Sequence, residues 1–184
     1  MLDEHRRIVT ARATRVAPWT VRRRARGASA CERSARMRIV VVAVGKVKER
    51  GLREAIDDYE ARIKRYCKLD EIEIADTGEK DVAAKLEKAI PDRTRTRTIA
   101  LEVGGERMTS QKFAQLVGRC EVGAVANVCF LIGGSYGLPK ELSDACDVRL
   151  SLSDMILPHR IARLFLVEQI YRAFTILRNE PYSH

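Results

Sequence analysis

Two stretches of this 184-residue chain decide its fold: NVCFLIGGSYGLP (127–139) and LSLSDMILPHRIARLFLVEQIYRAF (150–174). In the first, Asn127–Ile132 is an apolar run that stops at Gly133-Gly134-Ser135-Tyr136-Gly137. It has the length of a strand and no alternation, which predicts a strand buried on both faces, as in a parallel sheet covered by helices. Pro139 suits the first turn of a short helix to Cys146. In the second stretch, Val148–Leu152 reads as another strand, and Pro158 introduces the longest helix, His159–Leu177. Ile161, Leu164, Phe165, Leu166, Val167, Ile170, Ala173, Phe174, Ile176 and Leu177 occupy most of its circumference. A helix apolar on nearly all sides is buried on more than one of them. In so short a chain a second subunit is the natural cover.

Towards the N-terminus the same alternation continues. Arg38–Val44 (RIVVVAV) is a β-branched run ending at Gly45. Gly51–Tyr66 carries Leu52, Ala55, Ile56, Tyr59, Ile63 and Tyr66 at helical spacing. Glu71–Ala75 alternates Ile72 and Ile74 as a second strand, and Glu79–Ile90 is a helix stopped by Pro91. Thr98–Val103 is a third strand, closed by a turn at Gly104-Gly105, and Thr109 or Ser110 caps a helix through Val117. The order predicts an α/β fold: a mainly parallel sheet with helices on both faces.

Charge divides the chain. The whole carries 34 Lys+Arg against 25 Asp+Glu, a net +9. Residues 1–36 hold ten Arg, no Lys and three acids, a net +7, whereas the other 148 residues hold 24 bases and 22 acids, a net +2. Residues 1–36 have no sustained periodicity. Their Arg-rich, acid-poor composition resembles a transit peptide, but Met37 opens a strand directly. The simpler expectation is a disordered leader or a mis-called N-terminal extension, with the working domain at 37–184. No run approaches ~18 apolar residues, so no transmembrane helix is expected. Five cysteines (Cys31, Cys67, Cys120, Cys129, Cys146) form no Cys-x-x-Cys pair, which argues against a disulfide framework or a zinc site and for a reducing compartment.

Two places could carry chemistry. The glycine segment follows a strand, where open parallel sheets bind ligands, but it has neither the Walker A nor the G-x-G-x-x-G spacing. It does satisfy G-x-S-x-G, with Asp144, Asp147 or Asp154 and then His159 following in hydrolase order. Leu138-Pro139 nevertheless postpones the helix that a nucleophile elbow needs at once. His159, in the first turn of the last helix, has Arg163 on the same face at i+4. A non-enzymatic RNA-binding module would require a basic face, which +2 over 148 residues scarcely supplies.

The strings LIGGSYGL (131–138), LSLSDMILPHRIARLFLVEQIYRAF (150–174) and NEPYSH (179–184), with MRIVVVAVGKVKE (37–49) and DDYEARIKRY (57–66), resemble the RlmH family of SPOUT-class methyltransferases. The resemblance covers about residues 37–184 and gives residues 1–36 no counterpart. It implies methylation of N3 of a pseudouridine in 23S ribosomal RNA, with S-adenosylmethionine as cofactor. It also implies a C-terminal trefoil knot, a homodimer, a cytoplasmic location, and neither metal nor membrane. By the same resemblance, Leu101, Gly133, Leu152, Ser153, Asp154, Met155, Ile156 and Leu157 cradle the cofactor. His159 and Arg163 are expected in catalysis, Arg163 touching phosphate or polarising the base. Tyr182, which can stack, and His184 are expected on the RNA. The family ends Tyr-His-basic; here the end is Tyr182-Ser183-His184, which moves the histidine by one position.

Overall fold

The computed structural model describes residues 37–77, 79–123 and 125–182. The expectations for residues 1–36 and for His184 lie outside them. Five strands, β1 (Arg38–Val44), β2 (Lys68–Ile74), β3 (Thr96–Arg107), β4 (Asn127–Ile132) and β5 (Val148–Ser151), form one sheet in the order β2-β1-β4-β3-β5. Every pairing is parallel. The helices are α1 (Arg50–Ile63), α2 (Glu79–Ala89), α3 (Ser110–Val122), α4 (Lys140–Asp144) and α5 (His159–Leu177).

The unbroken apolar runs do what their composition requires. β1 sends Ile39, Val41 and Ala43 to one core and Val40, Val42 and Val44 to the other. β4 divides likewise, Val128, Phe130 and Ile132 against Cys129 and Leu131. The first core is roofed by α1 (Ile56, Ile63), α3 (Phe113, Val117) and α5 (Leu166, Ile170, Phe174). The second is closed by α2 (Val82, Leu86) and by Leu138 and Leu142 around α4. At about 1.5–3 kcal/mol for each large side chain fully buried, these two layers hold the domain together.

β1, β4 and α5 have the bounds expected from sequence. β3 does not end at Gly104-Gly105. It continues to Arg107 because β5 pairs with it on both sides of the glycines, Leu101 and then Glu106 facing Leu150, so that residues 102–105 bulge out. Helix α3 runs to Val122, five residues past the expected end, after Thr109 Oγ1 accepts from Lys112 N at its start. Helix α5 is less uniformly apolar in its contacts than in its sequence. Arg163 is wholly buried within it, while Ile161 and Phe165 are more than a third exposed.

Beneath α1 and α5 lies a cluster of charge. The edge strand β2 turns Leu69 to the first core, and the residues of the same parity that follow, Glu71 and Glu73, bond Arg163 of α5. Arg53 of α1 donates to Glu71 at 2.6 Å and to Asp57, and stands 3.6 Å from the buried Glu60. Desolvation first, and the neighbouring Glu71 second, push the Glu60 carboxyl up from 4.5 to about 7. A carboxyl raised on folding contributes stability that is full below its unfolded value and is lost as pH rises through its folded one. Glu60→Gln should therefore match the parent at pH 4 and exceed it at pH 8, by on the order of 1–3 kcal/mol in urea unfolding. A gap that does not widen between these pH values would contradict the assignment.

Candidate active site at the carboxyl ends of the sheet

The connections mark the carboxyl end of β4 as the place for a ligand. The chain leaves β1 and β3 for helices α1 and α3 over the first core, but leaves β4 for α4 over the second. Connections departing to opposite faces open the space outside the strand ends where ligands of such sheets bind. The chain leaving β5 crosses this space. β5 is the edge strand beside β3, yet the first turn of α5 lies against Gly45 at the end of β1. The segment 152–158 thus passes the ends of β3 and β4, a distance of ~14 Å for three strand spacings.

Each part of the crevice has a local cause. The glycine segment closes on itself, Gly137 N donating to Gly134 O at 3.1 Å with Gly137 at φ +79°. A Cβ on Gly133 would stand 2.2 Å from the Gly137 carbonyl carbon and 2.6 Å from Leu138 N. The glycine expected from sequence to admit a ligand is thus required first by the turn's own packing. In the crossing segment, Ser151 Oγ donates to Ser153 O at 2.9 Å, and Ser153 Oγ accepts from Met155 N at 3.0 Å. The backbone N–H groups of Asp154, Ile156 and Leu157 have no hydrogen-bond partner among the described residues. Leu101, Leu152 and Leu157 are half-buried walls, whereas Met155 and Ile156 stand 77% and 83% exposed. Asp154 is paired with Arg107 at 2.6 Å.

His159 and Arg163 meet at one residue. Gly45 has φ +87°, and the His159 ring lies on its Cα, with Nε2 3.1 Å from where a Cβ would be. Arg163 Nη2 donates to the Gly45 carbonyl at 2.7 Å, and Nη1 donates to Glu73 at 2.6 Å and Glu71 at 3.0 Å. Its side chain has 0% exposure, so Arg163 offers no surface to a phosphate or a base; this corrects the contact expected of it. Tyr182 lies elsewhere. Its hydroxyl is 3.2 Å from that of Tyr59 and 3.3 Å from Glu168, its ring meets Tyr171 edge-on at 4.7 Å, and Arg172 lies 5.0 Å over it. Burial, with Tyr59 and Glu168 nearby, raises the Tyr182 phenol well above its ordinary value. Glu168 is nine residues along α5 from His159, ~14 Å at helical rise, so one chain does not bring Tyr182 to the crevice.

A family model described as "Predicted SPOUT methyltransferase" matches residues 37–184. The chain belongs to the SPOUT methyltransferase family. Among curated relatives of this SPOUT chain, ribosomal RNA large subunit methyltransferase H of Sorangium cellulosum is 49% identical over 148 residues, 80% of this chain and 100% of that protein. The protein named ribosomal RNA large subunit methyltransferase H 1 in Clostridium perfringens (strain SM101 / Type A) is 41% identical over 157 residues, 79% of this chain and 99% of its own length. Among solved structures, the TrmH/SpoU tRNA modifying enzyme of A. aeolicus aligns with a TM-score of 0.42 at 9% identity, covering 82% of each chain.

The hydrolase reading fails on geometry. Ser135 makes no side-chain hydrogen bond among the described residues, and α4 begins five residues after it. Asp144 is engaged by Arg149, Asp147 by Thr98, and Asp154 by Arg107. The described cysteines are free, and burial pushes the Cys67 and Cys129 thiols up to about 12. Among the described residues, no group of three or more His, Cys, Asp or Glu is placed to hold a metal, and no helix is long and apolar enough to cross a membrane.

Gly45, Glu71 and Glu73 escaped the sequence reading as parts of the site. The available signal was KLDEIEI, in which acids take alternate positions that should face a core, together with one arginine inside an apolar helix. For the glycine turn, Gly133→Ala should lower the melting temperature by at least ~5 °C, since backbone rather than a movable side chain stands in the way. An unchanged melting temperature would show that the turn does not need the close approach.

Proposed function

We propose that the chain binds S-adenosylmethionine in this crevice and methylates N3 of a pseudouridine in 23S ribosomal RNA, acting in the cytoplasm as a homodimer. What carries the reading is the 49% identity to a ribosomal RNA large subunit methyltransferase H along that protein's whole length, on a chain with a crevice of matching chemistry. The residues fit the cofactor. The unpartnered backbone N–H groups of Asp154, Ile156 and Leu157 suit the polar edge of an adenine and a carboxylate, and the leucine walls suit the ring. When bound, S-adenosylmethionine supplies a methyl group already activated on its sulfonium, so the protein's task is chiefly one of positioning.

Leu101, Leu152 and Leu157 exclude water around the cofactor, and the Gly133 turn and the free N–H groups of Asp154, Ile156 and Leu157 give it backbone hydrogen bonds. His159, half-buried at the mouth, is the substrate-side group, hydrogen-bonding the base and steering the imide N3–H. Arg163 orients rather than touches. Phosphate is met instead by Lys46 and Lys48, both exposed beside Gly45 and without a partner among the described residues. We read the 152–158 crossing as the segment that a trefoil knot would tie.

The dimer completes the site. Met155, Ile156, Ile161 and Phe165 form an exposed apolar run from the crossing segment along α5. A second copy covering it would bring its own Tyr182 towards this site, which one chain alone does not.

The decisive experiment incubates the protein with tritiated S-adenosylmethionine and ribosomes from a strain lacking the modification, then maps the label. One methyl on a 23S pseudouridine is expected; unlabelled RNA with no cofactor binding in calorimetry would overturn the proposal. His159→Ala should lower methylation by ~10²-fold with cofactor affinity within a few-fold. Ile161→Glu with Phe165→Glu should give a monomer by light scattering and abolish methylation. An active monomer would remove the partner from the site.

A further inference from the structure

We infer that Glu73, on the edge strand, is a positioning residue for His159, acting through Arg163 and the carbonyl of Gly45. The inference rests on the reading of His159 as the substrate-side group. Its physical basis is a relay of four residues from three elements. Glu73 Oε1 accepts from Arg163 Nη1 at 2.6 Å; Arg163 Nη2 donates to Gly45 O at 2.7 Å; the His159 ring rests on the Cα of Gly45.

Each link is constrained. Arg163 is 0% exposed and its Nε is buried without a partner, so its guanidinium has lost water and holds its place only through the groups at its two Nη atoms. A buried guanidinium costs several kcal/mol to desolvate, and an apolar residue of similar volume is often as stable or more so. Apart from Thr175, whose hydroxyl is satisfied by Arg172 O, the other residues that α5 buries are apolar or aromatic, so stability alone does not call for an arginine there. What it adds is direction. It grips the carbonyl of Gly45, a residue at φ +87° whose N–H is tied to Ile74 O at 2.8 Å. With the peptide held on both sides, the Cα has little freedom, and the imidazole lying on it takes its position from it.

The two carboxylates at Arg163 are not equivalent. Glu71 is shared with Arg53 of α1 at 2.6 Å. Glu73 meets Arg163 and also stands 3.4 Å from Val47 N, two residues beyond Gly45. It therefore holds the relay at both ends: the guanidinium that fixes Gly45, and the backbone that follows it. Glu73 is also the safer position to alter, since its side chain is 28% exposed on an edge strand and its loss leaves Arg163 with Glu71.

The test is a double-mutant cycle on the full chain, with ribosomes lacking the modification as substrate. Glu73→Ala should lower kcat by ~10-fold, leaving KM for ribosomes and the affinity for S-adenosylmethionine within ~3-fold, with Glu73→Gln intermediate. In a His159→Ala background the same change should alter kcat by less than ~2-fold, because the group it positions is gone. In parallel, the His159 imidazole resonances, identified by their loss in His159→Ala, should shift in Glu73→Ala. An equal loss of kcat in both backgrounds would overturn the inference, and so would imidazole resonances that do not move. If His159→Ala leaves kcat intact, the functional assignment of His159 fails. The resonances alone then decide whether Glu73 positions the ring.

Discussion

The structure depends on the parallel pairing of β1 with β4. Both strands are buried on both faces, so their register is fixed by apolar side chains on two sides at once, and a one-residue slip would exchange the two cores. The last paired residues are Ala43 and Ile132. The register therefore brings Val44-Gly45 and Gly133-Gly134 out of the sheet side by side. The contact is close: a Cβ on Gly134 would stand 2.9 Å from the Val44 side chain. Apart from Leu101 on β3, the groups assigned to the site lie at these two exits, on the segment that passes them, or in the first turns of the helix that follows it.

The crossing is a consequence of strand order. With β5 at the β3 edge and α5 beginning over β1, the intervening segment lies across the carboxyl ends and leaves backbone groups without secondary-structure partners. Unpaired backbone polar groups are ordinarily costly away from water. A loop that keeps them at a crevice mouth, next to half-buried leucines, is poised for a ligand with a polar edge and an apolar face. Methylation from an activated donor asks for little more than this, which is why a chain with no metal-binding cluster and no nucleophile relay among its described residues can carry it.

How much of this was legible in sequence follows from what each feature depends on. β1, β4 and α5 are readable to the residue because β1 and β4, buried on both faces, and α5, a long apolar helix, each leave a dense apolar signature bounded on one side by glycine or proline. β3 was misread because its continuation past Gly104-Gly105 is set by a partner strand far away in sequence, which local turn chemistry cannot reveal. Arg163 was assigned to the substrate for a similar reason. Arginine is rarely buried unless paired, and its pairs sit on a strand some ninety residues earlier. The motif assigns Tyr182 to the RNA, but its distance from His159 within one chain is a property of the helix between them.

The same acids that orient the site also resolve a problem of the sheet. β2 is an edge strand, and a regular apolar edge invites another chain to pair with it. Inward-facing charges on the edge strand are one of the devices that discourage such pairing, because an added strand would bury them further. Glu71 and Glu73 supply those charges, and Arg53 and Arg163 make them tolerable within the fold. An apolar pair at these two positions would leave the guanidinium of Arg163 buried without a counter-charge. It would also remove the partner that fixes the guanidinium under Gly45 and leave the edge open to pairing. The buried charge is better understood as the common answer to these two demands than as a source of stability.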